Sequence, residues 1–250
     1  MEKLTKRQYY AMFGIVYADG KITDPDGRAI NELLKEGNSK TGKHVLTWSL
    51  PAGSAGTCIC DCPGCYAKTG FYKASSVKEC LARNLYYVNK YPLFVKHAII
   101  AQVLASGAKE VRIHASGDFN TANPRAYATM WKEIASACPD ASFWTYTKME
   151  ELENMFDGMD NANIVKSIIP GRGVNYGHCD YVIRLYEILT AAGENVFICR
   201  CGIDKNQHCE NCGHCATSKY VLFLEHSTDY KAEKDPLYPV LCDIVNAQAM

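Results

Sequence analysis

The chain has 250 residues, with 27 Lys and Arg balanced by 27 Asp and Glu, so its formal net charge is zero. Hydrophobic residues make up 48% and charged residues 22%, an ordinary globular composition, and the length suits one large α/β domain at least as well as two small ones. This balance argues against a basic nucleic-acid binder or an acidic disordered tail, while leaving room for a local basic patch.

The opening stretch, MEKLTKRQYYAMFGIVYADGK, is charged and has only a short apolar run, Ala11–Tyr17, so it reads poorly as a signal peptide. Residues 1–43 precede the first strand-like run and are expected to form a helical N-terminal cap, polar around Asp19–Asp26. From residue 44 to 250 the chain alternates between strand-like and helix-like runs. The strand-like ones are His44–Leu50, Val111–Ser116, Ser142–Lys148, Asn163–Ile169, Asn195–Arg200 and Tyr220–His226, each rich in β-branched or aromatic residues.

Helical runs fill the gaps. Ser76–Tyr91 is followed by Pro92 at a helix-start position and then Leu93–Ser106, with Gly107 as a stop. Arg125–Cys138, the short Glu150–Asp157 and Tyr181–Ala192 come next, the last ending at Gly193. Leu93–Ala108 is broken by Lys96 and His97 and is too short to span a bilayer. A soluble, cytoplasmic protein with no membrane partner is expected.

Strands separated by crossovers of about a dozen residues or more imply a parallel sheet in an α/β fold. Right-handed crossovers in unbroken succession would curl that sheet into a barrel or part of one, with a doubly wound open sheet as the alternative. In either fold the chemistry sits at the carboxyl ends of the strands.

Cysteine is the outlier. There are thirteen, without a secretion signal, and in a reducing compartment clustered cysteines serve as metal ligands or redox groups. Most lie in two clusters, which begin just after the first and the fifth predicted strands.

The first cluster reads Thr57-Cys58-Ile59-Cys60-Asp61-Cys62-Pro63-Gly64-Cys65-Tyr66. Three thiolates on a tight loop suit three irons of a cubane cluster and leave the fourth open to bind a further ligand. The alternative is half of a zinc knuckle, Cys62-x2-Cys65 with Cys58 or Cys60. The spacing Cys58-x3-Cys62-x2-Cys65 resembles the radical S-adenosylmethionine (SAM) superfamily. That resemblance implies a [4Fe–4S] cluster on Cys58, Cys62 and Cys65, SAM as cofactor, and a partial (β/α)6 TIM-like barrel. The sequence departs from the pattern in having Gly64 where the superfamily usually has an aromatic residue, and in the extra Cys60.

The second predicted strand ends in His114-Ala115-Ser116-Gly117-Asp118. Ser116-Gly117-Asp118 resembles a degenerate form of the superfamily's Gly-Gly-Glu strand end, which implies a carboxylate for the SAM ammonium beside a glycine that permits close approach. Read without the resemblance, Gly-Asp is an ordinary strand exit. More broadly, GNSKTGK (37–43), TWSLPAG (47–53), CPGCYA (62–67), VRIHASGDF (111–119) and WTYTK (144–148) resemble a family of bacteriophage-encoded radical-SAM-like proteins. This likeness leaves the substrate open.

Residues 37–43 also fit the first letters of a Walker A loop, but they precede a strand and His44 stands where Ser or Thr would hold magnesium, so nucleotide hydrolysis is rejected. Alternation along the second strand sets Val111, Ile113 and Ala115 toward the helices, leaving Arg112, His114 and Ser116 inward. Trp144, Tyr146 and Lys148 share one face of the third strand. Polar residues in buried strands are costly unless used or paired, so His114, Tyr146 and Lys148 are candidate contacts to SAM or substrate.

The second cluster centres on Cys209-x2-Cys212-x2-Cys215, like the first three cysteines of a bacterial ferredoxin run. Lys219 occupies the fourth place, so Cys201 or Cys199 would complete a second [4Fe–4S] site. A structural zinc on Cys201, Cys209, Cys212 and Cys215, or with His208 or His214, is the rival. Cys80, Cys138 and Cys242 read as plain buried thiols.

The expected function is therefore that of a radical SAM iron–sulfur enzyme. SAM would be cleaved reductively to a 5′-deoxyadenosyl radical that abstracts hydrogen from an unknown substrate, with electrons from a donor such as flavodoxin or ferredoxin. The alternatives are a zinc-binding recognition protein gripping nucleic acid or protein through two knuckles, and a two-cluster electron carrier.

Overall fold

A computed structural model describes residues 4–38, 41–62, 65–167, 175–204, 206–225 and 231–248, with only the backbone described at 202 and 210. The N-terminal stretch differs from the expected helical cap. Only α1 (Lys6–Ala11) is helical, started by a capping box between Thr5 and Gln8. A meander of β1 (Tyr17–Ala18), β2 (Lys21–Thr23) and β3 (Ala29–Asn31) follows, and β4 (Lys35–Glu36) pairs antiparallel with β5 (Val45–Thr47). The cause is turn chemistry. Asp19 and Gly20 join β1 to β2 with φ of 51° and 74°, the left-handed pair a two-residue type I′ hairpin turn requires.

After β5 come α2 (Ser75–Lys90), α3 (Pro92–Ser106), β6 (Glu110–Arg112), α4 (Pro124–Ala137), β7 (Ser142–Thr147) and β8 (Ala162–Lys166). The chain continues through β9 (Tyr176–Gly177), α5 (Cys179–Ala191), β10 (Val196–Ile198), β11 (Tyr220–Leu224) and α6 (Tyr238–Ala247). The helix bounds follow local signals. Pro92 opens α3, and Gly107 caps it at φ +67°, a left-handed conformation that suits glycine.

All six predicted strands are present and parallel, but not in unbroken succession. The sheet order is β10-β11-β8-β7-β6-β5-β4, so the last strand inserts between the fourth and fifth predicted ones. β11, Tyr-Val-Leu-Phe-Leu, is apolar along its length and suits an interior position; β10 has three residues and, among the described residues, pairs with β11 alone. The short run 150–157 forms a 3-10 turn at Glu150–Leu152 rather than an α-helix.

The larger core lies between α2–α4 and the strands, around Trp48, Trp131, Ile99, Ile113 and Phe143, all at 0% exposure. Gln102 on α3 ties the N-terminal stretch to it: its amide accepts from Leu34 N and donates to Leu34 O, at 2.8 and 2.9 Å. A smaller core under α5 and α6 collects Cys179, Ile198, Leu222 and Leu241. Among the described residues no helix is long and apolar enough to cross a membrane.

Candidate functional site

The first cysteine loop leaves the carboxyl end of β5, and the exit of β6 lies directly beside it. Backbone pairing continues past the regular strands: Trp48 N donates to Arg112 O, Ala115 N to Trp48 O, and Leu50 N to Ser116 O. Thr57, fully buried, then locks loop to exit. Its hydroxyl donates to Pro51 O and accepts from Asp118 N, both at 2.9 Å, while its carbonyl accepts from Asn120 N at 3.1 Å. Gly117 is what permits the approach. At φ +84°, a Cβ there would fall 2.6 Å from Thr57 Oγ1 and 2.8 Å from Leu50 Cβ.

Cys58, Cys60, Cys62 and Cys65 are free thiols, each half-buried. Burial pushes the Cys58 thiol up to about 12, with Asp118, Cys62 and Cys65 nearby adding to the rise. Cys62 is likewise raised by burial, then by Cys60 and Asp118, while the Lys148 ammonium pulls the other way. The three sequence-predicted ligands, Asp118 and Lys148 thus share one electrostatic neighbourhood. The loop is braced by Asp61, whose carboxylate accepts from Ser54 Oγ at 2.5 Å and pairs with Lys68. The Lys68 contact, followed by Ser54, lowers the Asp61 carboxyl to about 2.

Asp118 is 5% exposed and accepts three internal hydrogen bonds: Phe119 N and Thr147 Oγ1 at 2.7 Å on Oδ1, and Lys148 N at 3.0 Å on Oδ2. Burial raises its carboxyl despite them. These bonds tie the exit of β6 to the end of β7, and the acceptor capacity left over lies on Oδ2. Ser116 Oγ donates to Leu50 O and is equally buried.

His114 turns away from the cysteine loops. It has φ +60°, which breaks the alternation, and its ring packs edge-on to Phe119. Nδ1 meets Thr145 Oγ1 at 3.1 Å and Nε2 meets the Tyr127 hydroxyl of α4 at 2.9 Å. Both ring nitrogens are engaged inside the protein.

Arg112, which strand alternation sets inward, occupies the centre of the opposite face. Its guanidinium lies over the rings of Trp144 and Tyr146, 5.3 and 5.8 Å from their centroids, and donates to the Tyr66 hydroxyl at 3.2 Å. The Tyr146 hydroxyl in turn sits 3.0 Å from Cys215 Sγ. A side-chain path therefore runs from the first cysteine loop through Tyr66, Arg112 and Tyr146 to the second cluster. Tyr66 and Arg112 went unassigned because their partners are distant in sequence. Trp144 and Tyr146 do share a face, as predicted.

The second cluster folds into 3-10 turns, Arg200–Gly202, Cys209–Asn211 and His214–Ala216, and the last packs against β7 and β8. Asn163 of β8 fixes it by donating to Cys215 O at 2.8 Å and Ser218 O at 2.9 Å. Cys199, Cys201, Cys209, Cys212 and Cys215 all line one cavity of about 20 Å³. Burial pushes Cys215 up to about 12 and also raises Cys212. His214 lines the cavity but stacks on Phe197 at 3.7 Å. Among the described residues, as placed, no group of three or more His, Cys, Asp or Glu side chains is gathered tightly enough to hold a metal ion.

Of the remaining thiols, Cys138 and Cys179 are buried, whereas Cys80 and Cys242 are only partly so. Lys166, a polar interruption in the fourth predicted strand, pairs with Glu153 at 2.6 Å. The Walker-like loop does precede a strand, with Gly37 N donating to Val45 O; its Ser39 and Lys40, like Pro63, Gly64, Ile168, Ile169 and His226, lie outside the described residues.

No curated protein and no solved structure gives a significant match. The family match carries no cofactor or reaction with it. It runs from the last strand of the N-terminal meander to the last turn of the cysteine-rich segment, short of β11: the sequence model of Gene product 88 (GP88), a phage-type family, matches residues 29–217, and the chain belongs to that family.

Proposed function

We propose that the protein is a radical SAM enzyme whose first cysteine loop holds a [4Fe–4S] cluster through Cys58, Cys62 and Cys65, on a sheet curved as part of a barrel. One observation carries this reading. The two segments that sequence pattern assigns to one cofactor, the cysteine loop and the Ser116-Gly117-Asp118 exit, are bound to each other through Thr57 across adjacent strand ends. The donor chemistry fits: three free, half-buried thiols on one loop, with the Asp118 carboxylate and the Lys148 ammonium alongside. When bound, the reduced cluster supplies the electron that cleaves SAM to methionine and a 5′-deoxyadenosyl radical, the agent of hydrogen abstraction.

The chain's own residues supply the rest. Asp118 offers Oδ2 to the SAM ammonium, and Gly117 keeps the exit flush against the loop. Lys148 offsets the negative charge that the loop gathers once its thiols are deprotonated. Tyr146 and Arg112 form the wall opposite, and an external donor of the flavodoxin or ferredoxin type delivers the electron.

The second cluster reads best as a structural zinc site. Five thiols line one narrow cavity there, more than the four that tetrahedral zinc needs.

The deciding measurement is iron, sulfide and zinc per chain on protein made without oxygen, together with SAM cleavage under reduction. About four irons and one zinc are expected, and Cys62→Ala should lose the iron and abolish cleavage. Retained cleavage in that variant would overturn the assignment, and zinc alone with no iron recovered on reconstitution would overturn it in favour of the zinc-binding recognition protein.

A further inference from the structure

A second, larger cavity of about 520 Å³ adjoins the first cysteine loop. Its floor is apolar, from Pro51, Ala52 and Leu81, and its rim carries Lys68, Lys73, Lys78 and Tyr72. That volume falls in the range of ligand sites, roughly 300–1,000 Å³. The lysines come from two consecutive 3-10 turns, Tyr66–Lys68 and Gly70–Lys73, and from the start of α2. Lys68 is paired with Asp61, but among the described residues neither Lys73 nor Lys78 has an acidic partner. No acidic residue lies in the first turn of α2, and no side chain caps it, so its positive end adds to the field.

Aromatic rings are interleaved with these cations. Phe71 is 91% exposed and Tyr66 is 56% exposed, on the same pair of turns that supplies Lys68 and Lys73. Exposing a phenyl ring so fully gains nothing for the fold. Several cations around one groove beside exposed rings are the pattern that binds single-stranded nucleic acid, where backbones meet lysines and bases stack on aromatics. An acidic peptide would use the lysines and leave Phe71 idle.

From this juxtaposition we infer that the groove beside the first cysteine loop binds a single-stranded nucleic acid, which is the substrate class presented to the proposed radical site. The chemistry rests on the radical SAM reading; the binding does not.

Fluorescence anisotropy of the full chain with a labelled single strand of ~12 nucleotides, as RNA and as DNA, tests it. Binding of at least one strand is expected, weakening as salt rises. The double variant Lys73→Ala/Lys78→Ala should bind at least about tenfold more weakly and flatten the salt slope by roughly 1.4, for two lost phosphate contacts. Phe71→Ala should cost about fivefold or more and leave the slope unchanged. All three positions are exposed, so unchanged melting of the variants verifies that they fold.

Absence of binding to either strand at low salt overturns the inference, as does binding that the variants do not weaken. A poly-glutamate peptide that displaces the strand equally well from wild type and Phe71→Ala overturns it in favour of an acidic protein partner. The two readings fail separately: strand binding without SAM cleavage sinks only the cofactor assignment, and SAM cleavage without strand binding sinks only this one.

Discussion

His114 shows how one backbone angle redirects a side chain. At φ +60° its ring leaves the face that strand alternation assigns and enters the layer beneath α4, where burial lowers its pKa from 6.5 to about 3, with the Arg112 charge adding to the effect. The folded state therefore keeps the ring neutral where an unfolded chain would protonate it. Below the unfolded value the unfolded state binds the extra proton, so stability is full above about pH 6.5 and is lost progressively as pH falls toward 3. Urea midpoints at pH 7, 5 and 4 should decline accordingly. His114→Gln should be less stable at pH 7 yet decline less steeply, and an unchanged pH slope in that variant would show that other groups govern the decline. Gly117 carries a second lesson at this scale. Its need to be glycine was readable, but the group that crowds it is Thr57 of the neighbouring loop.

At the scale of elements, the cysteine-rich segment owes its place to β8. Asn163 satisfies the carbonyls of Cys215 and Ser218 with one amide, and losing it would leave both acceptors without that donor, at about 1–3 kcal/mol each if they stay dry. Asn163→Ala should thus speed hydrogen exchange across 209–218 and loosen the zinc proposed there, with little change around β5 and β6. Equal effects on both regions would contradict this separation. The N-terminal meander illustrates the opposite case. Its Asp19-Gly20 hairpin signal was local and strong, and it outweighs the expectation of a helical cap.

Across the whole molecule, the described residues form two packed cores, one under α2–α4 and one under α5 and α6. The second cysteine cluster sits apart from both: Phe197, Val221 and Trp144, from β10, β11 and β7, line its cavity, and none of the three belongs to either core. Binding energy at a structural metal site is folding energy for the segment that supplies the ligands. If the proposed zinc is present, stripping it with a chelator should therefore expose amides of 199–218 to exchange while those of α3 and β6 stay protected. Uniform loss of protection across the chain would mean that the two cores unfold as one.

Turn chemistry and apolar periodicity act over a few residues, and for that reason the sequence alone determined the six parallel strands, the bounds of α2 to α5 to within two residues, and the positions of both cysteine clusters after strand ends. It also placed Trp144 and Tyr146 on one face. Several features depend on partners far apart in the chain, which no local period encodes. Tertiary structure alone decided that β11 lies between β8 and β10, that His114 faces α4, and that Arg112 bridges Tyr66 and Tyr146. It also gathered Lys68, Lys73 and Lys78, five residues apart and unremarkable in a neutral chain, around one groove beside the first cysteine loop.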